Sequence, residues 1–224
     1  MENLYIGLIG SLLILDTTIL FQLSVSQPLV ICTLLGVYFG DVPLGLQVGI
    51  YLQLLWLSSL PVGAAVVPEG NMAAIISAVM IFRYHHNMQM FYSVLIFAVL
   101  FGLLLSFIGG ELVVLYRKYN VNILNRLTYQ LHRGNVHSLP NTIVLSIILH
   151  MFAMFALISV GLYCGDYIFE KISLLPKVIE EYAYFCAIAI LAAGTGLILH
   201  LYEGKLSRIF VLIGVVGGLI IPLI

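Results

Sequence analysis

Four strongly polar side chains, Asp41, Gln47, Gln53 and Glu69, interrupt an otherwise apolar run over residues 28–71, and Pro28, Pro43, Pro61 and Pro68 punctuate the same run. Carboxylates and amides can pair with the hydroxyls of a polar solute, because each hydroxyl both donates and accepts. A lipid-facing helix has no use for so many breakers and polar groups. Irregular backbone is tolerated at membrane depth only where protein or a cavity encloses it, and ionisable groups there mark solute paths. The segment therefore reads as a transport site for a hydrophilic molecule.

Gln27, Gln53, Glu69 and Asn71 are the first candidates to bind it, with the single tryptophan, Trp56, as an aromatic able to cover the face of a ring-shaped solute. Asp16 and Asp41 join them as further candidates. Asp16 lies within the first apolar segment, where an ionised carboxylate costs about 2.5 to 3.5 kcal/mol, so it should face protein, as a substrate ligand or as a strut between helices. Asp41 follows Gly40 and precedes Val42 and Pro43, a context that also suits a turn or cap. Gln47 and Gln53, six residues apart, lie about 240° apart on a regular helix and cannot both face one pocket.

The elements that must hold these groups are membrane helices. Hydrophobic residues make up 62% of the chain and charged ones 8%, about a third of the usual share in soluble domains, so the surrounding solvent is mostly hydrocarbon. Residues 1–224 read as one transmembrane domain: 28–83 carry the site, 117–140 form a loop and 165–182 an amphipathic segment. A span needs about 20 apolar residues. Segments 4–25, 91–116, 142–164, 183–202 and 209–224 qualify or nearly do, and 44–60 just crosses, whereas 28–40 and 71–82 are too short and read as half-helices or re-entrant hairpins. No basic residue precedes the first apolar segment and no cleavage site follows it, so that segment is expected to be retained.

Arg117, Lys118, Arg126 and Arg133 place loop 117–140 in the cytoplasm by the positive-inside rule. Segment 165–182 is then external, with Glu180 and Glu181 on a solvated helix face. Glu111 is read as snorkelling or meeting a partner subunit. The glycine pairs Gly36/Gly40, Gly45/Gly49 and Gly214/Gly218 allow close helix approach.

A net charge of −1 without a basic patch argues against nucleic acid as partner. Cys32, Cys164 and Cys186 are odd in number and sit in apolar stretches, as small buried residues without a disulfide do. The six histidines occupy no metal-ligand or phosphocarrier context, and no metalloprotease or nucleophile-elbow motif is present, so neither a metal, a cofactor nor an intramembrane enzyme is expected.

The stretches PLVICTLLGVYFGD (28–41) and LQLLWLSSLPVGAAVVPEG (52–70), with a glycine-rich helix between them, resemble the membrane-embedded C component (IIC) of the mannose/sorbose family of the bacterial sugar phosphotransferase system. RKYNVNILNR, RGNVHSL and LLPKVIEEYAYFCAIAILAAGTGLILHLY are similar to the family's loop and following helices. The resemblance favours Gln53 over Gln47, because Gln53 aligns with a Glu or Gln of the family. Two positions depart from it: Glu69 stands where Asp is usual, and Gly70-Asn71 replaces two small apolar residues.

The resemblance implies an all-α multispan helical bundle with broken or re-entrant helices, working by an elevator-type movement in the bacterial cytoplasmic (inner) membrane. It implies a hetero-oligomer with a membrane D component, served by cytoplasmic A and B phosphocarriers, that passes a hexose or amino-hexose inward for phosphorylation. The chain itself would carry no phosphoryl group. An ion-coupled secondary transporter using Asp16 or Glu69 is the alternative.

Overall fold

A computed structural model describes residues 1–18, 23–56, 68–88, 90–133, 138–172 and 178–201, with Gly204 and Ile209. The helices are α1 (Glu2–Thr18), α2 (Pro28–Phe39), α3 (Val42–Trp56), α4 (Gly70–Met88), α5 (Phe91–His132), α6 (Ser138–Ile172) and α7 (Val178–Leu201). The described residues form no strand, in keeping with the all-α expectation. Within α5, α6 and α7, the stretches Phe91–His132, Ser138–Lys171 and Ile179–Ile198 are long and apolar enough to cross a membrane.

Local chemistry explains the short helices. Proline suits the first turn of α2, where its missing N–H would have no helical partner anyway. Gly40 ends that helix at φ 81°, a left-handed conformation that glycine adopts without strain, and its N–H bonds Gly36 O. The Asp41 carboxylate then accepts Leu44 N at 3.0 Å and starts α3. The two helices pack as a tight hairpin. A methyl group on Gly45 would stand 2.9 Å from Gly36 Cα, and one on Gly49 would stand 3.0 Å from Leu29 Cα. Gly45 and Gly49 thus form the expected close seam, whereas the Gly36/Gly40 pair divides into a packing residue and a turn residue.

Helix α4 is the axis of the core, with every residue from Met72 to Phe82 at most 6% exposed. A helix apolar on all sides must be ringed by others. The surrounding helices are α5, α6, α2, α3 and α1. Ser77 Oγ donates to Ala98 O of α5 at 2.7 Å, and the Phe39 ring at the hairpin turn stacks on Phe82 at 5.0 Å. The hairpin therefore runs along α4, its turn near α4's C-terminal half and its open ends toward α4's start.

Several boundaries differ from the sequence reading. The described part of the 4–25 segment is helical to Thr18, residues 19–22 lie outside the described residues, and Ser24 beyond them takes a positive φ of 62°. Helix α5 runs through what reads as a loop from 117 because no Gly or Pro interrupts residues 111–133. Helix α6 likewise continues into the 165–182 segment, where Gly165 leaves room for Met80 of α4. Helix α4 covers the 71–82 stretch but runs from Gly70 to Met88, 19 residues, longer than the half-helix expected there. Residues 57–60 of the 44–60 segment, and 210–224 of the last one, lie outside the described residues.

Candidate solute site at the start of α4

The open ends of the hairpin meet through two glutamines. Gln53 Nε2 donates to Gln27 Oε1 at 3.2 Å, while Gln53 Oε1 accepts Leu29 N at 3.3 Å. The bonds tie the first turn of α2 to the last turns of α3. Trp56, one turn beyond Gln53, lies over Gly70: a methyl group there would stand 2.6 Å from Trp56 Cδ2 and 2.7 Å from Cγ. One face of the indole is thereby taken up by backbone. The indole Nε1 is buried and has no hydrogen-bond partner among the described residues.

Glu69 and Asn71 flank that glycine. Glu69 N donates to Ser106 O of α5 at 3.0 Å, and the Glu69 Cβ fits against Gly109, where a methyl group would stand 2.9 Å away. Its carboxylate has no hydrogen-bond donor among the described residues. The half-buried Asn71 amide is likewise without a partner among the described residues. Ser106 precedes Tyr116 by ten residues, about 15 Å along the helix, so α4 begins near the middle of α5's apolar stretch. Unpaired polar groups at that depth are costly unless something supplies their bonds.

Of the six candidates, the structure gathers Gln27 and Gln53 as one pair and Glu69 and Asn71 around Gly70, with Trp56 linking the two groups. Asp16 and Asp41 serve the backbone instead. Asp16 Oδ1 accepts Leu23 N and Oδ2 accepts Val25 N, both at 2.9 Å, which fixes the irregular chain leading to Gln27. Asp41 caps α3 at the hairpin turn, apart from Gln53, in the cap role that its sequence context suggests. Gln47 is exposed.

Three sequence-based expectations need correction. Glu180 does not decorate a solvated face: its two oxygens accept Tyr92 N at 2.8 Å and Ser93 N at 2.9 Å, closing the first turn of α5. Of the cysteines only Cys32 is buried, whereas Cys164 and Cys186 are exposed. Asp166, within the segment read as external and solvated, is the centre of a network. It accepts Arg83 Nη1 on both oxygens at 3.0 Å and Asn3 Nδ2 at 2.8 Å, while Arg83 Nη2 lies 3.2 Å from Glu2. The signals were present but weak. Arg83 is the first basic residue of the chain, and α5 begins at Met90 without a capping side chain of its own.

Compared with protein-family models, residues 1–221 match the PTS system sorbose-specific IIC component. The chain belongs to this family. The mannose-specific EIIC component of Escherichia coli K12 is 34% identical over 70 residues, which cover 31% of this chain and 26% of that protein. The sorbose-specific EIIC component of Klebsiella pneumoniae matches to the same extent, and the fructose permease IIC component of Bacillus subtilis 168 is 26% identical over 137 residues, 61% of this chain and 46% of that one. The matched stretches therefore span less than half of these relatives' own length. A solved structure described only as a membrane protein superposes with a TM-score of 0.75 at 20% identity, covering 97% of this chain and 86% of its own, and so shares the fold. As a IIC-family chain, this is a multi-pass membrane protein. None of these relatives supports the alternative of an ion-coupled secondary transporter.

Proposed function

We propose that the chain is the sugar-translocating subunit of a mannose/sorbose-type, phosphoenolpyruvate-dependent phosphotransferase system in the bacterial cytoplasmic membrane. It binds a hexose or amino-hexose and delivers it inward for phosphorylation by other subunits. The observation that carries the reading is the start of α4: a carboxylate (Glu69), an amide (Asn71) and an indole N–H (Trp56), none of them hydrogen-bonded among the described residues, surround Gly70 at mid-depth. A polyhydroxylated ring supplies donors and acceptors for all three. The relatives named for mannose, sorbose and fructose agree in substrate class.

In this reading the α2–α3 hairpin is re-entrant, reaching only part-way through the bilayer, and the paired Gln27 and Gln53 line its inner mouth. At about 1.5 Å per residue, the 12 residues of α2 extend about 18 Å, well short of the roughly 30 Å of hydrocarbon. Elevator-type movement would carry the hairpin and the start of α4 together with the sugar. The partners are a membrane D component and the cytoplasmic A and B phosphocarriers. The test is uptake of labelled hexoses and hexosamines by cells producing this chain with those partners, with the product assayed for phosphate. Phosphorylated product that disappears in Glu69→Ala and Gln53→Ala supports the reading. Uptake of unmodified sugar that collapses with the proton or sodium gradient overturns it.

A further inference from the structure

We propose that Trp56 sets sugar specificity as a hydrogen-bond donor: its Nε1–H binds one particular hydroxyl oxygen of the sugar, and Gly70 is the seat that holds the indole in position. The inference rests on the sugar-binding reading above and assigns one contact within it. A buried indole N–H ordinarily finds an acceptor, and a donor left without one costs about 1 to 3 kcal/mol. Trp56 Nε1 is buried without an acceptor among the described residues, although Glu69 and Asn71, both capable of accepting, are covalent neighbours of the glycine beneath the ring. Packing alone would let these groups satisfy one another. Their common lack of partners, around a single glycine, fits a site whose bonds are completed by a bound molecule.

The geometry also selects the role of the indole. One ring face lies on Gly70, with a virtual methyl 2.6 to 3.0 Å from Cδ2, Cγ and Cε3, so only the other face remains for stacking. The polar edge is the part left unsatisfied. Any side chain larger than hydrogen at position 70 must displace the ring, which gives the glycine at this position a reason that helix propensity does not, since glycine weakens a helix.

The test pairs protein changes with ligand changes in the complete transport system. Trp56→Phe keeps an aromatic ring and removes only the donor. Transport of the preferred sugar and of its singly deoxygenated analogues is measured for wild type and variant. The expected result is a KM raised about tenfold by Trp56→Phe for the parent sugar and for every analogue but one. For that one, which lacks the accepting hydroxyl, wild type and variant should agree. An equal loss on all analogues would show that Trp56 merely shapes the site, and no loss on any would show that its N–H is idle. Either result overturns the proposal while leaving sugar transport standing, whereas a wild-type system that moves no sugar overturns both.

A second readout avoids transport altogether. Trp56 is the only tryptophan in the chain, so the tryptophan emission of the purified full-length protein reports on it alone. The parent sugar should change that emission, and Gly70→Ala should shift it even without sugar. Labelled sugar that binds the purified chain and leaves the emission unchanged would overturn the assignment.

Discussion

The two ends of α4 are opposites in how their polar groups are used. At the C-terminal end Arg83 binds Asp166 and Glu2, Asn3 also binds Asp166, and the Tyr84 hydroxyl lies 3.3 Å from the same carboxylate. One network there joins α1, α4 and α6. At the N-terminal end Glu69, Asn71 and Trp56 sit around Gly70, and none is bonded to another. Eleven buried residues, Met72 to Phe82, all apolar but Ser77, separate the two ends. Buried polar groups that pair with one another rigidify a structure, whereas groups left open cost stability and call for another explanation. A clamped end and an open end are the division of labour that the proposed sugar site would require of this helix.

The sharpest way to break this comparison is to exchange the consequences of mutation at its two ends. Glu69→Ala should lower transport by about 100-fold, as expected when a charged acceptor is removed, while the protein remains as heat-stable in detergent as wild type or becomes more so. A marked loss of stability would mean that Glu69 is structural and would erase the contrast. Asp166→Ala should do the reverse. It leaves Arg83 with Glu2 alone and should cost about 2 to 3 kcal/mol of stability, read as a lower unfolding temperature and a smaller yield of folded protein. Transport per folded molecule should hardly change. Asp16→Ala falls between them: two backbone amides lose a charged acceptor, for about 2 kcal/mol, and because the freed chain leads into Gln27, a modest rise in KM should accompany the lost stability.

Much of the fold could be read from the sequence because hydrocarbon imposes simple demands. Apolar length located the cores of α5, α6 and α7, and Pro28 with Gly40 bounded α2. The site was partly legible for a related reason: Gln27 and Gln53 stand out among apolar neighbours, and they do meet. The residues that escaped are those whose role depends on a distant element. Glu180 and Asp166 looked like surface charge because sequence spacing carries no information about a bond to Tyr92 or Arg83, 88 and 83 positions away. Asp16 was read as facing a ligand or another helix, and it holds its own following chain. Trp56 was read as a face that covers a sugar, and its seat on Gly70 of another helix is a contact that spacing does not show.

The start of α5 is the internal control for the start of α4. Both are helix N-termini within one membrane domain, each has a glutamate at hand, and unsatisfied N–H groups with the helix dipole favour negative charge at both. Glu180 turns its two oxygens onto Tyr92 N and Ser93 N, so the chain completes this terminus from within, whereas Glu69 leaves its carboxylate open beside Gly70. If the difference is functional, Glu180→Gln should have the smallest effect of the series and an effect of another kind. Glutamine keeps one acceptor and gives up the charge, for a loss of about 1 kcal/mol. Hydrogen exchange at the Tyr92 and Ser93 amides should accelerate about fivefold, while KM for every sugar stays at the wild-type value. A sugar-dependent change in KM would place Glu180 in the transport cycle, and the start of α5 would then no longer be a closed terminus against which the open one can be judged.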